Sequence, residues 1–142
     1  MNLNTDFVNK LRSSGLRPTK QRLKICEILF NAEKTFHFTI NDLSKIISEK
    51  LSEKISLATV YNTIHAFKKK GYLKEISINS DRNYFDTNIS AHHHFYDEDT
   101  NELIDCNEND IDSINVKNNI TGKKINSVEV LIKVASDNQN QN

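Results

Sequence analysis

Several things are scarce in this 142-residue chain, and each scarcity narrows what the protein can be. No apolar run approaches the roughly 20 residues needed to span a bilayer, and the opening MNLNTDFVNKLRSSG holds no apolar stretch of the signal-peptide kind. A cytoplasmic protein with no membrane partner is the expectation. The two cysteines, Cys26 and Cys106, stand far apart and form no C-x-x-C pair. Neither a disulfide framework nor a cysteine zinc clamp is indicated. A metal-dependent hydrolase would need an open coordination position and a placed general base, and no motif such as H-E-x-x-H offers them. Any metal site must rest on histidine and carboxylate.

Hydrophobic residues make up 37% of the chain, enough for a core in one unit or two small lobes. The net charge of +0 hides a division: residues 1–85 carry 15 Lys/Arg against 8 Asp/Glu, and residues 86–142 carry 4 against 11. A basic half attracts phosphate backbones and an acidic half attracts cations, although two ordinary solvated surfaces would give the same totals. The acidic half holds three consecutive histidines, His92, His93 and His94, of the chain's five.

In the basic half, Phe7, Val8 and Leu11 predict a short first helix ending at Ser13-Ser14-Gly15. Pro18 and Thr19 mark the start of a second, whose broad apolar face includes Leu23, Ile25, Cys26, Leu29 and Phe30. Cys26 there suits a small core residue better than a reactive thiol. Thr39, with Asp42 three residues on, is a variant capping box opening a third helix on the stripe Ile40, Leu43, Ile47, Leu51. In SLATVYNTIHAFKKKG, Ser56 caps a fourth helix, Leu57, Val60, Ile64 and Phe67 face inward, and Gly71 ends it. The opposite face shows Ala58, Asn62, His65 and Lys69, flanked by Thr59, Tyr61 and Ala66. Small and hydrogen-bonding side chains suit a helix that lies deep in a major groove, though an ordinary exposed face has a similar look. YLKEISINSDRNYFD then reads as a strand, a turn at Asn79-Ser80-Asp81 and a return strand. Helices followed by a hairpin make a winged helix.

Beyond residue 86, ELIDC reads as a strand, residues 108–118 as a weak helix with Ile111 and Ile114 inward, and Val128, Val130, Ile132 and Val134 as an alternating strand. So small an α/β lobe with one apolar strand gains by pairing with its twin. The predicted architecture is α+β: a winged-helix DNA-binding domain over 1–86, a small α/β dimerisation and sensing domain over 87–135, and a disordered tail over 136–142. A symmetric dimer implies an inverted-repeat site on double-stranded DNA.

The pieces GLRPTKQRLKI, HFTINDL, ISLATVYNTIHAFKKKGYL, NYFD and HHHFY occur in the order and spacing of the Fur family of metal-responsive transcription regulators, and over about residues 7–134 the chain resembles that family. Within it the sequence is most similar to the Irr branch of haem-responsive iron regulators. Two departures point there: YDEDTNELID contains no cysteine pair, and Tyr96 stands where Fur proper has a further histidine. A Cys-Pro haem motif is absent, since Pro18 follows Arg17.

The resemblance implies a repressor of iron or haem genes and no enzyme. Its sensory site would use His37, Asp86, His94 and Asp105, with Tyr96 as a substitute oxygen ligand. A second site would use His93 and Asp112, with Phe95 and Val128 at the other ligand positions. In a strand His92 and His94 share one face and His93 takes the other, so one run can serve two sites. Imidazole and carboxylate suit iron, manganese or zinc without choosing among them, and a haem iron on this run is open too, with a haem-supplying enzyme as a partner. The plain Fur alternative is control by a divalent ion with no haem role. Singly, His37 and Asp86 are ordinary polar residues at element ends, and the histidine run is a solvated strand roughly one time in four. For DNA the expected contacts are Tyr61 and Asn62 to bases, and Arg17, Thr19, Arg22, Lys68 and Lys69 to backbone or groove. Thr59 and His65 lie on the same face.

Overall fold

Four helices form where apolar spacing and capping residues direct them, and the first is α1, Leu3–Ser13, which buries Phe7 and Leu11. Helix α2, Lys20–Phe30, begins at Thr19, whose side chain accepts a hydrogen bond from the Arg22 N–H at 3.2 Å. Helix α3, Ile40–Lys50, begins with both halves of the capping box: the Asp42 N–H donates to Thr39 Oγ1 at 3.0 Å, and the Thr39 N–H donates to Asp42 Oδ2 at 3.1 Å. Helix α4, Leu57–Lys70, is capped by Ser56 and stopped by Gly71 at φ 92°, a left-handed conformation that a side chain would strain. The computed structural model describes residues 3–138.

The chain divides into two units, residues 1–89 and 90–142. In the first, the helices close over one core that includes Leu11, Ile25, Cys26, Ile64 and Phe67. The Phe67 ring is edge-on to both Phe30 and Tyr72, at 5.4 and 6.1 Å. Leu57, expected to face inward, is 55% exposed. It occupies the first turn of α4, and the buried face starts at Val60 and adds Thr63, whose hydroxyl donates to the Thr59 carbonyl at 2.7 Å. Burial of Cys26 pushes its thiol up to about 12, so it is an inert core group.

Strand β2, Lys74–Asn79, and strand β3, Arg82–Asp86, form the expected hairpin, and the Asp81 N–H donates to Asn79 Oδ1 at 2.9 Å to close its turn. A two-residue strand β1, His37–Phe38, adds to the other side of β3, giving the order β1-β3-β2. Antiparallel pairing sets His37 opposite Asp86 and Phe38 opposite Phe85. Thr87 is stitched to Phe36 through backbone and side chain, which keeps the residues after β3 in this unit.

The second unit is a three-stranded sheet of order β5-β4-β6, from β4, His94–Asp97, β5, Glu102–Asp105, and β6, Leu131–Val134. Strand β4 runs antiparallel to β5 and parallel to β6. The helix expected over 108–118 does not form: Ile114 is 41% exposed and the segment is turn and irregular chain. The Asp110 carboxylate bonds local backbone, accepting the Asn107 N–H at 2.8 Å, and the segment's isoleucines and valine are poor helix formers. The alternating strand expected from Val128 is regular only over β6. Of the expected tail, residues 139–142 lie outside the described residues, whereas Ser136 is tied down. Its N–H donates to Asp99 Oδ2 at 2.6 Å and its hydroxyl to the same oxygen, which holds the Asp99 carboxyl below its ordinary value.

Candidate metal centre and nucleic-acid face

The alternation of a strand places His92 and His94 on one side, and their rings are 4.3 Å apart. The β4–β5 register sets His94 opposite Asp105. One Asp105 oxygen is 3.5 Å from His92 Nε2 and 3.0 Å from His94 Nε2, and the potential ligand atoms of the three residues lie within 4.8 Å of one another. His94 is buried and Asp105 exposed. Two imidazoles and a carboxylate converging in this way fit a divalent transition metal ion.

The tautomers of His92 and His93 follow from their backbone partners. His92 Nδ1 is 2.7 Å from the Ser90 carbonyl, which can only accept, so Nδ1 carries the proton and Nε2 presents its lone pair towards Asp105. The adjacent His93 is the reverse case. Its Nδ1 accepts the Val130 N–H at 2.9 Å, so the neutral ring has its proton on Nε2 and offers no lone pair to an ion. With the Cys106 N–H bonded to its carbonyl at 3.0 Å, His93 ties β4 to both flanking segments. His93 and Asp112 line a cavity of about 430 Å³ together with Cys106 and Val128. The Cys106 thiol is raised, by burial first and then by Asp110 and Asp105, which keeps it protonated and a poor ligand. Phe95 lies between His94 and Tyr96 on β4. Tyr96 is buried, and its hydroxyl donates to Asn101 Oδ1 at 2.9 Å. That hydroxyl thus braces the turn between β4 and β5.

In the first unit, the sheet pairs His37 with Asp86. Asp86 is 1% exposed and its Oδ1 accepts the Asn88 N–H at 2.8 Å, while His37 meets Tyr84 edge-on at 5.9 Å. The helix face expected to read DNA is open: Tyr61 is 51% exposed, and Asn62, Lys68 and Lys69 are exposed. Thr59 and His65 are half-buried. Thr59 Oγ1 accepts from the Ser56 hydroxyl at 2.9 Å in the first turn of α4. Lys68 is not a free cation, since its ammonium pairs with Glu75 on β2. At the start of α2, Arg22 Nη1 donates to the Arg17 carbonyl at 2.9 Å, so Arg17, Thr19 and Arg22 form one knot of donors and caps.

Sequence reasoning missed two of these features. The Val130 bond of His93 spans 37 residues and had no local signal. The Lys68–Glu75 pair crosses from α4 to β2, also beyond any short-range pattern.

Residues 13–134 match the family described as Ferric uptake regulator family. The chain is 31% identical over 121 residues to the peroxide operon regulator of Bacillus subtilis strain 168, covering 84% of this chain and 81% of that protein. It is 32% identical over 110 residues to the ferric uptake regulation protein of Pseudomonas fluorescens, covering 77% and 88%. The ferric uptake regulator from Pseudomonas aeruginosa with manganese has the same fold, with a TM-score of 0.65, 23% identity and coverage of 92% and 97%. The winged-helix unit, the β-sheet unit, the His/Asp group and these relatives agree: the chain belongs to the ferric uptake regulator family of metal-responsive, DNA-binding repressors.

Proposed function

We propose that this protein represses transcription at inverted-repeat operators under the control of one divalent ion, iron(II), manganese(II) or zinc, held by His92, His94 and Asp105. The observation that carries this reading is the convergence of His92, His94 and Asp105. An ion bound there would supply positive charge beside the Asp105 carboxylate and fix both imidazoles.

Tyr61 and Asn62 read bases in this proposal, and Lys69, with the Arg17, Thr19 and Arg22 knot, holds phosphates. His93 and Tyr96 stand outside the ligand set because His93 Nδ1 is engaged by the Val130 N–H and the Tyr96 hydroxyl by Asn101. Haem control, expected from the likeness to Irr, draws on the missing cysteine pair and on Tyr96, and the phenol is engaged elsewhere. The divalent ion is the better reading.

The test is a titration of metal-stripped protein against an inverted-repeat duplex selected from a random-sequence pool, with iron(II), manganese(II), zinc and haem added separately. A divalent ion should change DNA affinity, and His94→Ala should abolish that response. Haem that gives a saturable Soret band and the same change would replace this reading with the haem switch. Because one relative is a peroxide operon regulator, peroxide added to the iron-loaded sample is the informative further arm.

A further inference from the structure

A ladder of rings rises from the core of the first unit to the surface of α4. Phe38 and Phe85, 1% and 2% exposed, stack across β1 and β3 at 6.2 Å. Phe85 meets the His65 ring edge-on at 5.5 Å and 81°. His65 lies against Tyr61 at 4.1 Å, with the planes tilted by 41°. Tyr61 and His65 are one helical turn apart, so their side chains share a face of α4.

Two further observations define the roles. Among the described residues neither the His65 nitrogens nor the Tyr61 hydroxyl has a hydrogen-bond partner, so packed rings hold His65 and the Tyr61 hydroxyl is left to meet something outside. An exposed tyrosine on a bare helix samples several rotamers and loses that freedom when it docks. One already stacked on a ring that is itself braced by the core gives up less.

We propose that His65 is a positioning residue for sequence readout: its ring, braced by Phe85, holds Tyr61 in the orientation that meets base edges. This rests on the reading that Tyr61 touches a base. His65 therefore acts on specificity and leaves general attraction to DNA unchanged. An aromatic pair of this geometry is worth about two- to tenfold in an equilibrium constant.

The experiment uses full-length, manganese-loaded protein and measures affinity for the selected inverted-repeat duplex and for a scrambled duplex of the same length. Variants are His65→Ala, His65→Phe, Tyr61→Ala and the double Tyr61→Ala/His65→Ala, each checked by thermal melting. His65→Ala should lower the ratio of the two affinities by about two- to tenfold, with scrambled binding and salt slope unchanged. His65→Phe should restore the ratio, and His65→Ala should add nothing once Tyr61 is gone. In protein with labelled tyrosine, the Tyr61 ring resonances should move in His65→Ala and return in His65→Phe. Equal losses on both duplexes, or additive losses in the double variant, would overturn the proposal by making His65 a direct or purely structural contact. If Tyr61→Ala weakens operator binding while His65→Ala does not, the positioning role alone falls. If Tyr61→Ala has no effect, the base-contact reading falls first and the positioning role with it.

Discussion

Neighbouring histidines of one short run should fail in different ways when replaced, and His93→Leu against His94→Leu is the sharpest comparison. Leucine at 93 removes the acceptor for the Val130 N–H, a 2.9 Å bond at the lead-in to β6. A neutral intramolecular hydrogen bond contributes about 0.5–1.5 kcal/mol net, and a half-buried donor left without a partner adds to that loss. Val130 is half-buried, so water replaces part of the bond, and about 1 kcal/mol is the expected destabilisation. For a chain of this size that is a fall in Tm of roughly 3–5 °C. Metal affinity should change by less than about threefold, since Nε2 of this ring bears a proton. Leucine at 94 removes one of three converging donors. The loss should exceed the roughly 10- to 100-fold typical of disturbing a ligand's supporting partner. Its folding cost without metal should be small, because a buried imidazole is exchanged for an apolar group of similar bulk. Melting curves of metal-free protein and competition with a chelating dye read the two quantities separately. If His93→Leu abolishes metal binding and leaves the metal-free Tm unchanged, the tautomer argument is refuted.

Other outcomes follow from the same structure. Tyr61→Ala should weaken binding to the selected duplex by about 1–3 kcal/mol with the fold intact, read by anisotropy. Lys69→Ala should lower affinity for all sequences and reduce the salt slope by about 1, whereas Lys68→Ala should do less because Glu75 already holds that ammonium. Thr39→Ala should cost about 1 kcal/mol by removing one half of the capping box of α3, measured by denaturant unfolding. The Cys26 thiol, raised by burial from 9.0 to about 12, favours the folded state fully below pH 9, and that contribution is lost as pH rises towards 12. Cys26→Ala should therefore flatten the decline in stability over that window, although it lowers stability at neutral pH through the small cavity it leaves.

The first unit was largely legible because its signals are local. Thr19, Thr39, Ser56 and Gly71 announce helix ends by chemistry that acts within four residues, and Asn79 and Asp81 close a turn the same way. Leu57 misled because periodicity assigns a face to every turn, while the first turn of α4 projects past the core. The second unit was less readable. Strands of four residues carry little periodic signal, and the segment after Asn107 has isoleucines at helical spacing but side chains that prefer to bond their own backbone. At the site, alternation alone predicted that His92 and His94 face together. Which nitrogen carries the proton in His92 and in His93 depends on the Ser90 carbonyl and the Val130 amide, and no residue pattern encodes those.

The hairpin of β2 and β3 has two ends with different obligations. Its base is clamped: Asp86 and Phe85 sit on the central strand, paired on one side with His37 and Phe38 and on the other with Lys74 and Glu75. Its tip is loosely governed, with a register shift between Ser77 and Asn79 and exposed residues at 79–81. Insertions or deletions at the tip can change how far the wing reaches along a duplex without altering the spacing of His37 and Asp86. The length of the wing can thus vary among descendants of this chain while the pairing at its base is kept.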